Sequence, residues 1–481
     1  MKNYLQENLI HDPIHGYIPF ISDVDLKGKE VSEREIIDHP WVQRLRQIHQ
    51  LQTAWWVFPT AEHTRFQHVI GAMHLASVVI EKLYPSLEEV FGVEKGKNKL
   101  PSRPYVESLL RMAGLLHDVG HGPFGHFFDD HFLKKDYNLT HETLGAKIII
   151  DELGPLLEKV RRNPNGQLSD KERLDPGQIA WLIQRPKEDP SQRKNEEGHP
   201  RWLHFLRSLF CGIYTIDNMD FVLRDAYMSG YSLRSFDLQR LLHYSFFTEK
   251  GLTIHERGMG SLIHFMNAKS ELFANVYFHR TVQAIDLMLA DLFKESHHLF
   301  FPAGNPAENL EAYRQFTEFS LLVEVAKWPE SPDKEKRRLG KKWKAMLDRQ
   351  CDWLFACQES LVFTRDKSEV THTFNDPDNV ERTLGKLLPD EWKEARFRVD
   401  IARHLHRPTE EQHNWQYDAA NGMVKRLSEN ENYHNLPGAR RQCRIYIHRE
   451  SKNPEQLKKA LAAALDKALG KQPAEDDLTN M

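Results

Sequence analysis

His68, the adjacent pair His117-Asp118, and Asp217 stand on three separated stretches of the chain and together offer two imidazoles and two carboxylates. Such a mixed nitrogen and oxygen set suits octahedral Mn, Fe, Ni, Mg or Co, or Zn with positions left open, better than a closed structural zinc site. A cation with open positions can hold a phosphoryl oxygen and a water side by side, which polarises phosphorus and lowers the water's pKa, as phosphoester hydrolysis requires. Singly, none of these residues is informative, because a lone His on an amphipathic helix is more often a packed core residue. The combination carries the inference: His117-Asp118 closes an apolar helix, and His121 and His126 follow within nine residues.

The elements that must position these groups are mostly helical. From Thr64 to Leu83, residues Phe66, Val69, Ile70, Met73, Ala76, Val79, Ile80 and Leu83 trace one stripe at the helical period, with His68 near its start. Residues 102–117 are apolar nearly all round, so that helix is expected to be buried, and polar groups at its end demand a partner. Thr215–Ala226 reads as a helix ending near Gly230, and Ser261–Phe293 as a single long helix. Asp12–Phe20 has the Pro and Gly punctuation of a hairpin, and Asp38-His39-Pro40 that of a helix start. The charged, Pro-rich stretch 185–197 reads as an exposed loop, and 301–306 as a linker. Beyond it lie further helical stretches, a short strand candidate at Cys443–His448, and a last helix that opens on Asn453-Pro454 and stops at Gly470.

The chain has 481 residues, more than the ~250–300 at which single cores stop growing. The expected organisation is a core over 1–300 and a C-terminal region over 301–481. Charge is nearly balanced, 65 Lys+Arg against 69 Asp+Glu, so there is no global case for a nucleic-acid partner. No apolar run approaches the ~18 residues of a membrane span and no signal-peptide region opens the chain, so a cytoplasmic protein with no membrane partner is expected. The 4 Cys are scattered and never form a CxxC pair, against 26 His, so any metal site should be built on imidazole. The basic run Lys334–Lys344 follows a good helix start at Ser331-Pro332-Asp333 and reads as a solvated helical face. Arg440–Arg449 mixes basic and aromatic residues and reads as a sheet-edge strand protected by charge.

His117-Asp118, preceded by Arg65-Phe66-Gln67-His68 and followed by Asp217, resembles the H…HD…D signature of the HD-domain metal-dependent phosphohydrolases. Val57-Phe58-Pro59, His117-Asp118-Val119-Gly120-His121-Gly122-Pro123-Phe124 and Asp217…Asp220…Arg224-Asp225 are similar, more specifically, to the deoxynucleoside triphosphohydrolase branch. The likeness covers roughly residues 10 to 295. It implies a helical HD core; with the small N-terminal β-hairpin and the largely helical C-terminal region containing a short β element read from the residues, the expected fold is mostly α. It implies hydrolysis of a deoxynucleoside triphosphate to deoxynucleoside and tripolyphosphate, one divalent metal ion per site, and a second Mg arriving with the triphosphate. It also implies homo-oligomers, as dimer, tetramer or hexamer, and an effector nucleotide.

Carried over by position, the resemblance makes His68, His117, Asp118 and Asp217 the metal ligands. His121 and His141 become proton donors or transition-state stabilisers, with His126 nearby; imidazole suits that work because its pKa lies near working pH. Gln50 and Leu51 match nucleoside contacts, Arg65 and Lys269 phosphate contacts, Asp225 an acceptor for the sugar 3′-hydroxyl, and Tyr277 a ring against the sugar. Two positions depart from the pattern: Asn218 stands where a phosphate-binding Lys is common, and Phe221 where Tyr is frequent. Both remove phosphate-directed donors. The alternative substrate is therefore a phosphodiester, cleaved as by a nuclease acting on single-stranded nucleic acid or oligonucleotides. A third reading is a non-catalytic nucleotide-sensing scaffold.

Overall fold

The computed structural model describes residues 8–22, 26, 28–185, 198–363, 376–405, 414–436 and 439–470; the charged loop expected at 186–197 lies outside the described residues. The chain divides into two units, the first comprising 1–272, 297–324 and 409–435, the second 273–296, 325–408 and 436–481.

The first unit opens with a hairpin of strands β1 (Leu9–Asp12) and β2 (Gly16–Pro19), in which Asp12 faces Gly16. Asp12 Oδ1 accepts from the backbone N–H of Ile14 and His15, both at 2.9 Å, and closes the turn. Helix α1 (Arg65–Phe91) starts at a capping box, Thr64 with Gln67. Helix α2 (Arg103–Leu116) starts where the Ser102 hydroxyl accepts from Tyr105 N–H, and every residue from Tyr105 to Leu116 is buried, as its apolar circumference requires. The two helices cross at Gly114, where a Cβ would meet the backbone oxygen of Ala72 at 2.8 Å. Helix α3 (His141–Ile148) is capped by Thr140, helix α4 (Ile216–Met228) by Thr215, and helix α5 spans Met259–Leu272. A four-stranded sheet orders Met423–Arg426, Trp415–Asp418, Gly251–His255 and Ser245–Thr248, with the middle pair parallel.

The single helix expected over 261–293 is two. After α5 the backbone widens into a π-helical turn at Phe273–Tyr277, where Phe278 N–H reaches Phe273 O at 2.8 Å. A new helix, Arg280–Ser296, begins with His279 Nδ1 accepting from Thr281 N–H. Side-chain periodicity continues through such a break, which is why apolar spacing alone does not reveal it.

In the second unit, Ala439–His448 is the centre of a three-stranded antiparallel sheet, between Trp353–Phe363 and Phe397–Leu405. The strand expected at Cys443–His448 is therefore present but is not an edge. Val399, Ile445 and Ile447 from this sheet pack with Val380 and Leu384 of helix Pro377–Leu387 and with Leu457 and Leu461 of helix Pro454–Ala468. Leu457, Leu461 and Leu465 along the last helix thus form a core face. The basic run forms helix Lys334–Leu347, capped by Asp333, with Arg338 and Lys342 paired to Glu295 at the surface. This unit also carries an open surface pocket of about 450 Å³ lined in part by Asn275, His279, Arg280, Gln358, Gln442 and Arg444. Among the described residues no helix is long and apolar enough to cross a membrane.

Gly114→Ala should force α1 and α2 apart and cost ~1–3 kcal/mol, as overpacking does. Thermal unfolding followed by circular dichroism should show a lowered midpoint, and an unchanged midpoint would mean the crossing is looser than described.

Candidate metal centre

Helices α1 and α4 and the end of α2 bring three of the expected ligands to one point. His68 Nε2 lies 3.1 Å from His117 Nε2 and 3.1 Å from Asp217 Oδ1, and His117 Nε2 lies 3.7 Å from Asp217 Oδ1. Ligands of one cation held at ~2.1 Å bonds stand roughly 3.0–3.4 Å apart; two of the three separations fall in that range and the His117–Asp217 pair lies just beyond it at 3.7 Å, so the three donors converge as ligands of a common ion do. Asp118 stands beside them: its Oδ1 is 3.4 Å from His117 Nε2, outside the tighter group of His68, His117 and Asp217. Its Oδ2 accepts from Arg65 Nη1 at 2.6 Å. The Asp217 side chain is 34% exposed, against 1% for His68, so the centre opens on the Asp217 side.

Carboxylates and imidazoles set each other's charge in this cluster. Burial opposes protonation of His68, but Asp217 and then Asp220 outweigh it and push its pKa up to about 10. Burial would raise the Asp217 carboxyl, yet His117 and His68 hold it far below the usual range. A divalent cation satisfies the same carboxylate with both imidazoles neutral.

An outer ring of bonds fixes the ligands. His117 Nδ1–H donates to Gly114 O at 2.8 Å, which turns Nε2 toward the cluster. His68 Nδ1–H donates to Asp220 Oδ2 at 2.7 Å, the carboxylate–imidazole arrangement that orients a metal ligand and raises its basicity. Asp220 is fully buried and accepts from Arg224 Nε and Nη2, both at 2.8 Å, and pairs with His15 Nε2 at 2.7 Å. Arg224 Nη1 donates in turn to Asp12 Oδ2 at 2.7 Å. A Cβ on Gly71 would sit 2.0 Å from Asp220 Oδ1, so only glycine lets α1 pass this network. Sequence reasoning read 12–20 as a hairpin only. Its Asp and His carried a signal, because polar groups flanking a turn next to a buried face need partners.

A second cluster adjoins the first. His121, His126, Asp129 and His141 bring ligand-type atoms within 4.8 Å of one another. The rings of His121 and His141 stack in parallel, centroids 3.8 Å apart at 11°, and His126 stands edge-on to both. A ring nitrogen's lone pair lies in the ring plane, and one cation cannot lie in two parallel planes. The cluster is therefore better built for moving protons than for binding an ion. Asp129 accepts from His141 Nδ1, leaving Nε2 of His141 to carry a mobile proton. His121 is held neutral by burial, then by Arg65 and His141. Helix α2 ends at Leu116, and turns place His121, with His121 N–H on Asp118 O at 3.0 Å.

The other expected contacts divide. Leu51 is buried, and half-buried Gln50 keeps its buried Oε1 without a hydrogen-bond partner in a described group. Lys269 on α5 lies over the ring of Phe221, its Nζ 5.7 Å from the centroid, and burial lowers its pKa to about 8 despite Asp217 nearby. A cation from a neighbouring helix thus stands by Phe221, the position where tyrosine is frequent in the resembling branch. Asp225 is buried and its Oδ1 is held 2.7 Å from His63 Nε2, a partner the sequence did not suggest. Tyr277 belongs to the second unit, where its ring packs against Phe273.

Residues 65–190 match the family model described as HD domain. The chain carries an HD domain. The matched stretch contains His68, His117-Asp118, His121, His126 and His141, while Asp217 and Lys269 lie beyond it. The HD-domain chain is 28% identical over 352 residues to "Deoxynucleoside triphosphate triphosphohydrolase SAMHD1" of Bos taurus, covering 68% of this chain and 55% of that protein. It is 27% identical over 343 residues to the Homo sapiens protein of that name, covering 66% and 50%. It is 26% identical over 343 residues to "Uncharacterized protein YwfO" of Bacillus subtilis, covering 68% of each. The chain spans about half the length of the SAMHD1 relatives. A crystal structure of a hypothetical protein from Aquifex aeolicus shares the fold, with a TM-score of 0.63 at 20% identity, covering 95% of this chain and 100% of that one.

Asp220→Asn should weaken binding of Mn²⁺ about 10–100-fold, as loss of an orienting outer partner does. Competition against a fluorescent chelator measures this. His15→Gln, which leaves the Asp220–Arg224 pair intact, should weaken it less, and equal affinity in both variants and the parent would contradict the orienting role.

Proposed function

We propose that this HD-domain chain is a metal-dependent phosphohydrolase that cleaves deoxynucleoside triphosphates to deoxynucleoside and tripolyphosphate. The observation that carries the reading is the adjacency of a three-donor cation centre, opening at Asp217, to a carboxylate-backed histidine cluster. His68, His117 and Asp217 would hold the ion, with Asp118 beside them. A divalent cation supplies polarisation of the phosphoryl group and of an attacking water.

The remaining work falls to side chains already in place. Arg65, fixed by Asp118, keeps a guanidinium beside the centre, and its Nε is buried without a partner in a described group, available to a phosphoryl oxygen. Lys269 supplies a second cation toward the triphosphate, in place of the donors missing at Asn218 and Phe221. His141, oriented by Asp129, holds the proton that the departing 5′-oxygen requires, and exposed His126 passes protons to solvent. His121, kept neutral, can donate a hydrogen bond without adding charge. Gln50 and Leu51 would contact the nucleoside, as the resemblance implies. The donor-rich pocket of the second unit, with Arg280 and Arg444 and, among the described residues, no acidic lining, supports assigning an effector nucleotide's phosphates there.

Product analysis tests this. Mn²⁺-loaded protein should release deoxynucleoside and tripolyphosphate from at least one dNTP, and Lys269→Ala should raise KM about tenfold while changing kcat less, the result of losing a charge-assisted phosphate contact. Shortening of a labelled single strand with all dNTPs intact would replace the reading with a phosphodiesterase.

A further inference from the structure

The segment 313–318 returns to the first unit late in the chain and grips the loop that carries His121 and His126. Tyr313, fully buried, donates its hydroxyl to Gly120 O at 2.9 Å. Arg44 stacks on the Tyr313 ring and donates to His121 O at 2.5 Å and to Phe316 O at 2.8 Å. Glu318, also fully buried, accepts through Oε2 from Phe124 N–H at 3.4 Å and from His49 N–H at 3.3 Å, while its Oε1 lies 2.8 Å from His49 Nδ1.

Two features make Glu318 more than a packed carboxylate. Phe124 sits between His121 and His126 with φ of +60°, a left-handed conformation that a bulky residue holds only when its surroundings impose it. Its backbone N–H is one anchor of that conformation, and Glu318 is the anchor's acceptor. At the other end, His49 is pinned on all sides: Nδ1 by Glu318, Nε2 by Glu62 at 3.2 Å, and its face stacked on Trp55 with centroids 4.2 Å apart. Burial disfavours the imidazolium, but Glu318 and Glu62 raise its pKa, which supports an ion pair with Glu318. His49 immediately precedes Gln50 and Leu51. A further bond joins the same two loops, Phe127 N–H to Gln52 Oε1 at 2.9 Å.

We propose that Glu318 is a positioning residue that holds the histidine loop 120–126 and the loop 49–52 in one register, acting through Phe124 on one side and His49 on the other. What the two loops do rests on the function proposed above; that they are tied together by Glu318 does not. Neither His49 nor Glu318 lies within the residues that match the HD-domain family model.

The test compares full-length, Mn²⁺-loaded parent with Glu318→Gln, which keeps the volume but can no longer serve all three donors, and with His49→Gln. Hydrogen exchange should accelerate together in peptides spanning 46–52 and 118–128 in Glu318→Gln, with bound Mn²⁺ unchanged. Displacement of the histidines should lower kcat tenfold or more, up to about 100-fold, with KM moved much less. His49→Gln should reproduce the loss, and the double variant should be no worse than either single one, because the two residues act as a unit. Acceleration in neither or only one peptide, a kcat at the parent value, or Mn²⁺ lost in step with activity would overturn the proposal. If the parent hydrolyses no dNTP, the functional reading fails, and hydrogen exchange alone decides the role of Glu318.

Discussion

The buried pair Asp220–Arg224 is the interaction on which the rest of the centre depends. A carboxylate with no solvent contact is tolerated only when its charge is matched and its lone pairs are used. Here Arg224 takes both oxygens, His15 and His68 share them, and Asp12 occupies the guanidinium's remaining edge. Removing one partner of such a pair typically costs ~3–5 kcal/mol, because the other charge is left buried and unmatched. The network explains why a marginal two-stranded hairpin stays at the N-terminal end of the fold and why Gly71 is glycine: both are conditions for Asp220 to reach His68. Through His68 the same pair sets the direction in which the metal centre presents its donors.

The two adjoining histidine groups differ in geometry, and the proposed function gives them opposite tasks. His68 and His117 face carboxylates and converge, so a cation is the economical way to satisfy them. His121 and His141 stack instead of converging, and Asp129 backs only one of them. Asp118 lies between the groups, 3.4 Å from His117 and 3.3 Å from His121, with Arg65 holding its other oxygen. The chemistry proposed for the protein rests on this division, in which one cluster binds charge and the next moves protons.

The residues proposed for the chemistry were legible in the sequence, because the helical stripe around His68, the all-apolar helix before His117-Asp118 and the helix from Asp217 are local patterns. Their supports were not. Asp12 and Arg224 are 212 positions apart, and His49 and Glu318 are 269 apart, so no window of sequence pairs them. The region 301–481 reads from its sequence as helical with one short strand, though Phe397-Arg398-Val399-Asp400-Ile401 alternates as a strand should and carries the signal. Trp353–Phe363 lacks such alternation and becomes readable only beside its partner, Ala439–His448. The π-helical turn at Phe273–Tyr277 keeps the apolar spacing on either side and so hides from periodicity.

The most direct test of the central claim is a crystal structure of the Mn²⁺-soaked protein with anomalous data collected at the manganese edge. The account predicts one strong peak within coordination distance of His68 Nε2, His117 Nε2 and Asp217, reached also by Asp118, and none between His121 and His141. A peak seated among His121, His126, Asp129 and His141, with His68 and His117 bare, would contradict it.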